Sequence, residues 1–223
     1  MFRGRMNTCY VISVAQVLLR IPAVLDWAIC HNAGGCPEEG SACVLCALFQ
    51  TYSQLLDGTS SDIAPVLAER REFVKDVFKG DRQQDVVDFF DSLCGRARAL
   101  DIRHKRFSTW GDVQIDRPEV THADLLFRFV LETRRRCKGC KHEVRSWFDA
   151  ERVLRLQTFC ERGGAATISD MYLNFCRVRD EEVRCERCCK NTAVHECQTR
   201  IHTGPNVLAI QIERGDEAGL KLV

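Results

Sequence analysis

Fourteen of the 223 residues are cysteine, and six of them stand as pairs two residues apart: Cys43/Cys46, Cys137/Cys140 and Cys185/Cys188. That gap lets two thiolates on one tight turn reach a single ion. Cys137-Lys-Gly-Cys140 and Cys185-Glu-Arg-Cys188, with 44 residues between them, are predicted to be two knuckles of one tetrahedral four-cysteine zinc site. Cys189 and Cys197 are alternates. His31, Cys36, Cys43 and Cys46, all within 16 residues, make a second candidate set. The competing reading for both sets is buried cysteine without metal, since free Cys packs well as a small hydrophobe.

A different chemistry is open to Cys9. Asn7-Thr8-Cys9-Tyr10 places it in the first turn of an apolar segment, with Thr8 able to N-cap the helix. The N–H groups and positive dipole end of a helix favour thiolate over thiol. The same N–H groups, with the Asn7 amide, could hold a tetrahedral oxyanion in acyl transfer. Taken alone the signal is weak, since a lone Cys at a helix start more often serves packing.

The elements that must position these groups divide the chain in two. Helices are predicted over 9–19, 42–56, 65–78 and 83–97, with a Gly/Pro-rich loop from His31 to Gly40. Tyr10, Val14 and Val17/Leu18 share one side of the first. Leu45, Leu48, Phe49, Tyr52 and Leu56 line the second, and Val86, Phe89, Phe90 and Leu93 line the last. The second half favours strands at 146–148, 153–156 and 207–212, with one short helix over 168–176. The class is α+β, helical first and Cys-rich β afterwards. Two of the strands fall between the C-x-x-C pairs, which predicts a long zinc ribbon with the metal pinning distant hairpin ends.

Composition sets the outer bounds. A net charge of +1 and 45% hydrophobic residues describe a chain that folds, and one without a general nucleic-acid footprint. Arg134-Arg135-Arg136 with Lys138 and Lys141 is the one basic cluster beside a knuckle, and interleaved Glu and Asp make it a solvated face. No apolar run approaches the ~18 residues of a membrane span. The run from Cys9 to Leu19 is broken by Ser13 and Gln16 and lacks a small-x-small cleavage site, against a signal peptide. The expected location is therefore intracellular, cytoplasm and/or nucleus, where clustered thiols read as metal or catalysis.

Four motifs, in order, resemble one known family. Asn7-Thr8-Cys9-Tyr10 with Ser13, Gln16 and Leu18-Leu19 is similar to the cysteine box of the ubiquitin-specific proteases. Gln83-Gln84-Asp85-Val86-Val87-Asp88-Phe89 resembles the family's Q-Q-D-A-x-E-F-L. The two C-x-x-C pairs resemble its fingers zinc ribbon, and Pro205 to Arg214 resembles its P-x-V-L-x-I-x-L-x-R strand. The resemblance implies a papain-like cysteine peptidase of thumb, palm and fingers: a mainly helical thumb over 1–125, then zinc-ribbon fingers and the start of an incomplete palm over 126–223. It implies a thiol-dependent deubiquitinase cleaving after the C-terminal glycine of ubiquitin, with ubiquitin and ubiquitinated proteins as partners. Cys9 would be the nucleophile, Gln83 and Asp85 would hold the ubiquitin tail, and Cys137, Cys140, Cys185 and Cys188 would bind structural Zn2+. The set of His31, Cys36, Cys43 and Cys46 resembles an insertion found in a subgroup of these enzymes.

Three departures matter. The oxyanion Asn of the family is Gly4 here, and losing one such donor costs about 100- to 1000-fold in rate. Met6 and Ile12 replace a Gly and an Asn. No Gly-His-Tyr box with its following Asp or Asn is present, and none of the six histidines (31, 104, 122, 142, 195 and 202) lies in that context. The expectation is a stretch of a longer enzyme that is inactive alone. The alternatives are a ubiquitin-binding pseudoenzyme and, more remotely, a zinc-ribbon nucleic-acid module.

Overall fold

The computed structural model describes residues 9–36, 43–58, 84–103, 107–108, 120–149, 152–158, 167–188 and 192–213. The helix predicted over 65–78 lies outside them. The chain divides into two units, Met1–Leu126 and Phe127–Val223.

The first unit is helical. Helix α1 (Cys9–Leu18) buries Tyr10, Val11, Val14, Ala15 and Leu18, a stripe at helical spacing. Val17 is left in solvent, so of the Val17/Leu18 pair it is Leu18 that joins Tyr10 and Val14 on the predicted apolar side. Helix α2 (Pro22–Ala33) replaces the first part of the predicted His31–Gly40 loop. Pro22 starts it, where a missing N–H costs nothing and φ is preset. Its apolar residues fall all around, so periodicity gives no face, yet Val24, Ala28 and His31 form one buried stripe at i, i+4, i+7. Gly35, at φ +72°, turns the chain away in a conformation other residues rarely adopt.

Helix α3 (Val44–Leu56) is capped by Cys43, whose extended backbone lets its sulfur accept the Cys46 N–H. Val44, Leu45, Ala47 and Leu48 are buried, and Asp57-Gly58 ends the helix as predicted, with Gly58 at φ +62°. Helix α4 (Val86–Arg103) runs six residues past the predicted end. Asp85 begins it: Oδ1 accepts the N–H groups of Val87 (2.7 Å) and Asp88 (3.3 Å), satisfying two orphan donors. The Tyr10 ring meets the edge of Phe89 at 5.2 Å and locks α1 onto α4.

Strands β1 (Phe107–Ser108) and β2 (Val120–Thr121) pair antiparallel, and α5 (His122–Phe127) follows. Buried Asp124 accepts from the Thr121 N–H and hydroxyl and from Arg98 Nε of α4 at 3.0 Å. Buried Asp101 accepts the His122 N–H at 2.9 Å. Both carboxylates lie within hydrogen-bond networks and so tie α4 to the β2–α5 corner.

The second unit contains a four-stranded antiparallel sheet, in the order β4-β3-β7-β6, built from β3 (Val130–Cys137), β4 (Glu143–Asp149), β6 (Arg179–Val183) and β7 (Ala193–Thr203). A separate pair, β5 (Val153–Gln157) and β8 (Ala209–Glu213), is parallel. Here the ribbon expectation is corrected: of the two strands predicted between the knuckles, β4 joins the large sheet but β5 pairs with β8. Buried Val153, Leu154 and Leu156 suit β5 to a core position. Helix α6 (Ile168–Phe175) starts at a reciprocal capping box of Thr167 and Asp170. Its Met171 packs with Phe129, Leu154 and Leu156, with Leu131, Tyr172, Phe175, Ile201 and Ile210 around them. On β3, Glu132 is 3% exposed between two strands' arginines, with Arg200 Nε at 2.7 Å and Arg145 at 3.8 Å. Removing either partner would strand charge in the sheet.

Candidate metal centres and nucleophile

The β3–β4 turn carries Cys137 and Cys140, and the β6–β7 connection carries Cys185 and Cys188. Because β3 and β7 are neighbours, both turns reach the same end of the sheet. The first turn closes through the Lys141 N–H on the Cys137 carbonyl and the Cys137 N–H on the His142 carbonyl, both 2.9 Å. Lys141 takes a left-handed φ of +59° to do so, a strain of roughly 1 kcal/mol.

All four sulfurs lie within 4.8 Å of one another. Cys137 Sγ is 3.7 Å from Cys188 Sγ, and Cys140 Sγ is 3.6 Å from Cys185 Sγ. A disulfide would bring sulfurs to about 2.05 Å. A tetrahedron with metal–sulfur bonds of about 2.3 Å has sulfur–sulfur edges of about 3.8 Å. The donor set and its spacing therefore fit zinc.

The backbone prepares two of these sulfurs as anions. The Cys140 and Gly139 N–H groups hold the Cys137 thiol below its ordinary value. The Cys188 N–H, with the neighbouring thiol, brings Cys185 down to about 5. Cys188 is pushed up to about 12, first by its hydrogen bond to Cys185 and then by desolvation. Clustered thiols without a cation cannot all ionise; a divalent ion at their centre removes that conflict.

The helical set forms a second four-donor group within 4.8 Å: His31, Cys36, Cys43 and Cys46. His31 comes from the last turn of α2, and Cys43 and Cys46 from the start of α3. His31 Nε2 is 3.2 Å from Cys43 Sγ, and both residues are buried. Burial is the main cause that raises the thiols of Cys43 and Cys46. One imidazole and three sulfurs are a structural-zinc donor set. Its residues would hold α2 to α3 across the connection.

Cys9 is the exposed first residue of α1. Asp85 stands at the start of α4, the helix that α1 packs against. Gly4, Asn7, Gln83, Cys189 and His104 lie outside the described residues. Cys197 is on β7, outside both four-donor groups. Sequence reasoning missed two groups in the second unit: Glu132, hidden in a charged string, and His195, considered below.

A family model described as ubiquitin carboxyl-terminal hydrolase matches residues 2–221. The chain belongs to the ubiquitin carboxyl-terminal hydrolase family. Among its relatives is ubiquitin carboxyl-terminal hydrolase 36 of Drosophila ananassae, 28% identical over 223 residues, 97% of this chain and 20% of the relative. The Drosophila melanogaster protein of the same name is 29% identical over 226 residues, 97% of this chain and 21% of the relative. The chain thus spans about a fifth of the length of these curated relatives. The fold is shared with a chain of the SAGA Ubp8/Sgf11/Sus1/Sgf73 DUB module bound to ubiquitin aldehyde, at TM-score 0.76 and 18% identity. That match covers 96% of this chain and 46% of the solved one. A second structure, the Ubp8-Sgf11-Sgf73-Sus1 SAGA DUB module, matches at 0.67 and 17% identity, over 97% and 46%. The α+β reading of the sequence and its family resemblance both stand.

Proposed function

We propose that this chain is the nucleophile-bearing and zinc-ribbon portion of a cysteine-type deubiquitinase, which cleaves the bond after the C-terminal glycine of ubiquitin on ubiquitinated proteins. The observation that carries it is the exposed Cys9 opening a helix whose other face is buried. In this reading the Cys9 thiolate attacks the glycine carbonyl, the α1 N–H groups stabilise the oxyanion, and the amine leaves as a thioester forms. Water then hydrolyses the thioester. Asp85 and Gln83 hold the extended tail. Both amides that cap α4 fall on Asp85 Oδ1, so Oδ2 is the atom able to receive a tail N–H.

Each step needs an imidazole to take and return a proton, and the 223 residues contain no Gly-His-Tyr box. These residues alone are therefore expected to bind ubiquitin without turning it over. Gly4 in place of an oxyanion donor favours a second reading, a ubiquitin-binding pseudoenzyme. Both four-donor groups would hold structural zinc; what the ion supplies is charge neutralisation for clustered thiolates. Such clusters persist in reducing compartments, which supports an intracellular location in cytoplasm and/or nucleus.

A ubiquitin probe with a C-terminal electrophile tests the assignment. Labelling mapped to Cys9 supports the enzyme. Binding of plain ubiquitin without labelling supports the pseudoenzyme or the stretch acting as a binder. Neither labelling nor binding rejects ubiquitin as the partner of this chain. Salt-dependent binding to DNA or RNA would support the zinc-ribbon nucleic-acid reading.

A further inference from the structure

His195 is a buried histidine on β7, 6% exposed, that neither candidate site uses. It pairs in register with Cys137 of β3. The Lys138 N–H donates to the Val194 carbonyl at 2.9 Å, and the Cys137 N–H turns instead to His142. These bonds make Cys137 and His195 a non-hydrogen-bonded antiparallel pair, the closer of the two kinds, with Cβ atoms about 4.5–5.5 Å apart.

The ring also has a direction and a tautomer. Nδ1 lies 2.9 Å from the Ala193 carbonyl oxygen. A carbonyl only accepts, so Nδ1 carries the proton and the neutral ring keeps its lone pair on Nε2. Ala193 lies two residues back, toward the turn with Cys185 and Cys188, so the ring leans toward the metal end of the sheet. A histidine whose Nδ1–H is held by a backbone carbonyl is in the form that ligates metals through Nε2.

His195 stands outside the four-sulfur group, whose ligand atoms lie within 4.8 Å of one another. We propose that His195 is a reserve ligand of the finger metal centre, taking a coordination position through Nε2 when the Cys137 thiolate is absent. Four-cysteine and three-cysteine-one-histidine sets are both stable zinc sites, and the exchange replaces one anionic donor by a neutral one. The inference rests on the zinc reading of the fingers.

The test uses the full chain with cobalt(II) as a spectroscopic stand-in, together with zinc–chelator competition. The chain and three variants are compared: His195→Ala, Cys137→Ala and the double variant. The helical centre contributes the same background to all four. His195→Ala should keep the four-thiolate spectrum and an affinity within about twofold. Cys137→Ala should keep a tetrahedral cobalt spectrum with weaker thiolate charge-transfer bands. The double variant should bind at least about tenfold more weakly than Cys137→Ala. Equal affinities and spectra for Cys137→Ala and the double variant would overturn the proposal, as would loss of all finger-site cobalt in Cys137→Ala alone. A wild-type chain with no finger-site metal would reject the zinc reading itself, which the spectra distinguish from failure of His195 alone.

Discussion

The two four-donor groups hold the same number of ligands but are built differently. In the fingers, four sulfurs sit on two hairpin turns whose own N–H groups point at Cys137 and Cys185, so the backbone partly prepares the anions. In the helical group, the sulfurs open a helix but are desolvated, and Cys43 meets an imidazole directly. Without a metal both groups confront thiol with thiol, but the helices retain in addition a polar contact between His31 and Cys43. At the metal end of the sheet Arg134, Arg135 and Arg136 of β3 and most of β6 are exposed, so that end depends on its ion; a helix pair with a buried apolar stripe has packing in reserve.

Breaking this contrast should produce unequal effects. The largest is expected from replacing one whole knuckle, Cys185→Ser with Cys188→Ser. Metal content should fall by one ion per chain, and the strands of the large sheet should lose hydrogen-exchange protection, because structural zinc contributes about 10 kcal/mol or more to small metal-held folds. Retained protection at full metal loss would show that the sheet holds itself.

His31→Ala should also remove one ion, but the α2–α3 pair should keep helical signal because Val24, Ala28, Leu45 and Leu48 remain buried. A destabilisation of about 2–4 kcal/mol is expected, confined to the first unit. If circular dichroism shows both helices lost, the two centres are alike after all. Phe89→Ala is a metal-independent reference for that unit: about 3–5 kcal/mol, with both ions retained.

The smallest effect lies at α6, away from either centre. Thr167→Ala should cost about 1 kcal/mol. The Thr167 hydroxyl and N–H hold the Asp170 carboxyl below its ordinary range. A lowered folded value contributes stability above the unfolded pKa near 3.9 that is lost as pH falls through the folded one. Acid melting of the chain and of Thr167→Ala should therefore converge at low pH; parallel curves down to the lowest pH would exclude the carboxylate's share.

What could be read from sequence follows the range of the interactions. The C-x-x-C pairs were legible because two-residue spacing is a local property, and α1 and α3 because their apolar stripes repeat within the helix. Helix α2 hid because its apolar residues surround it and only tertiary packing selects Val24, Ala28 and His31. Strand β3 hid behind Glu132-Thr133-Arg134-Arg135-Arg136: Arg134 pairs with Glu143 across the β3–β4 hairpin, and Glu132 with Arg200 of β7, far along the chain. The parallel pairing of β5 with β8 spans more than fifty residues, and no local pattern encodes it. His195 is of the same kind: its place beside Cys137 is set by sheet register.

The central claim is that both groups are metal centres positioning one thiol peptidase fold. Elemental analysis of protein purified without chelator tests it most directly. Two zinc ions per chain are predicted, one lost on His31→Ala and the other on removal of the Cys185/Cys188 knuckle. A metal-free folded chain, or a single ion indifferent to one of those changes, would contradict it.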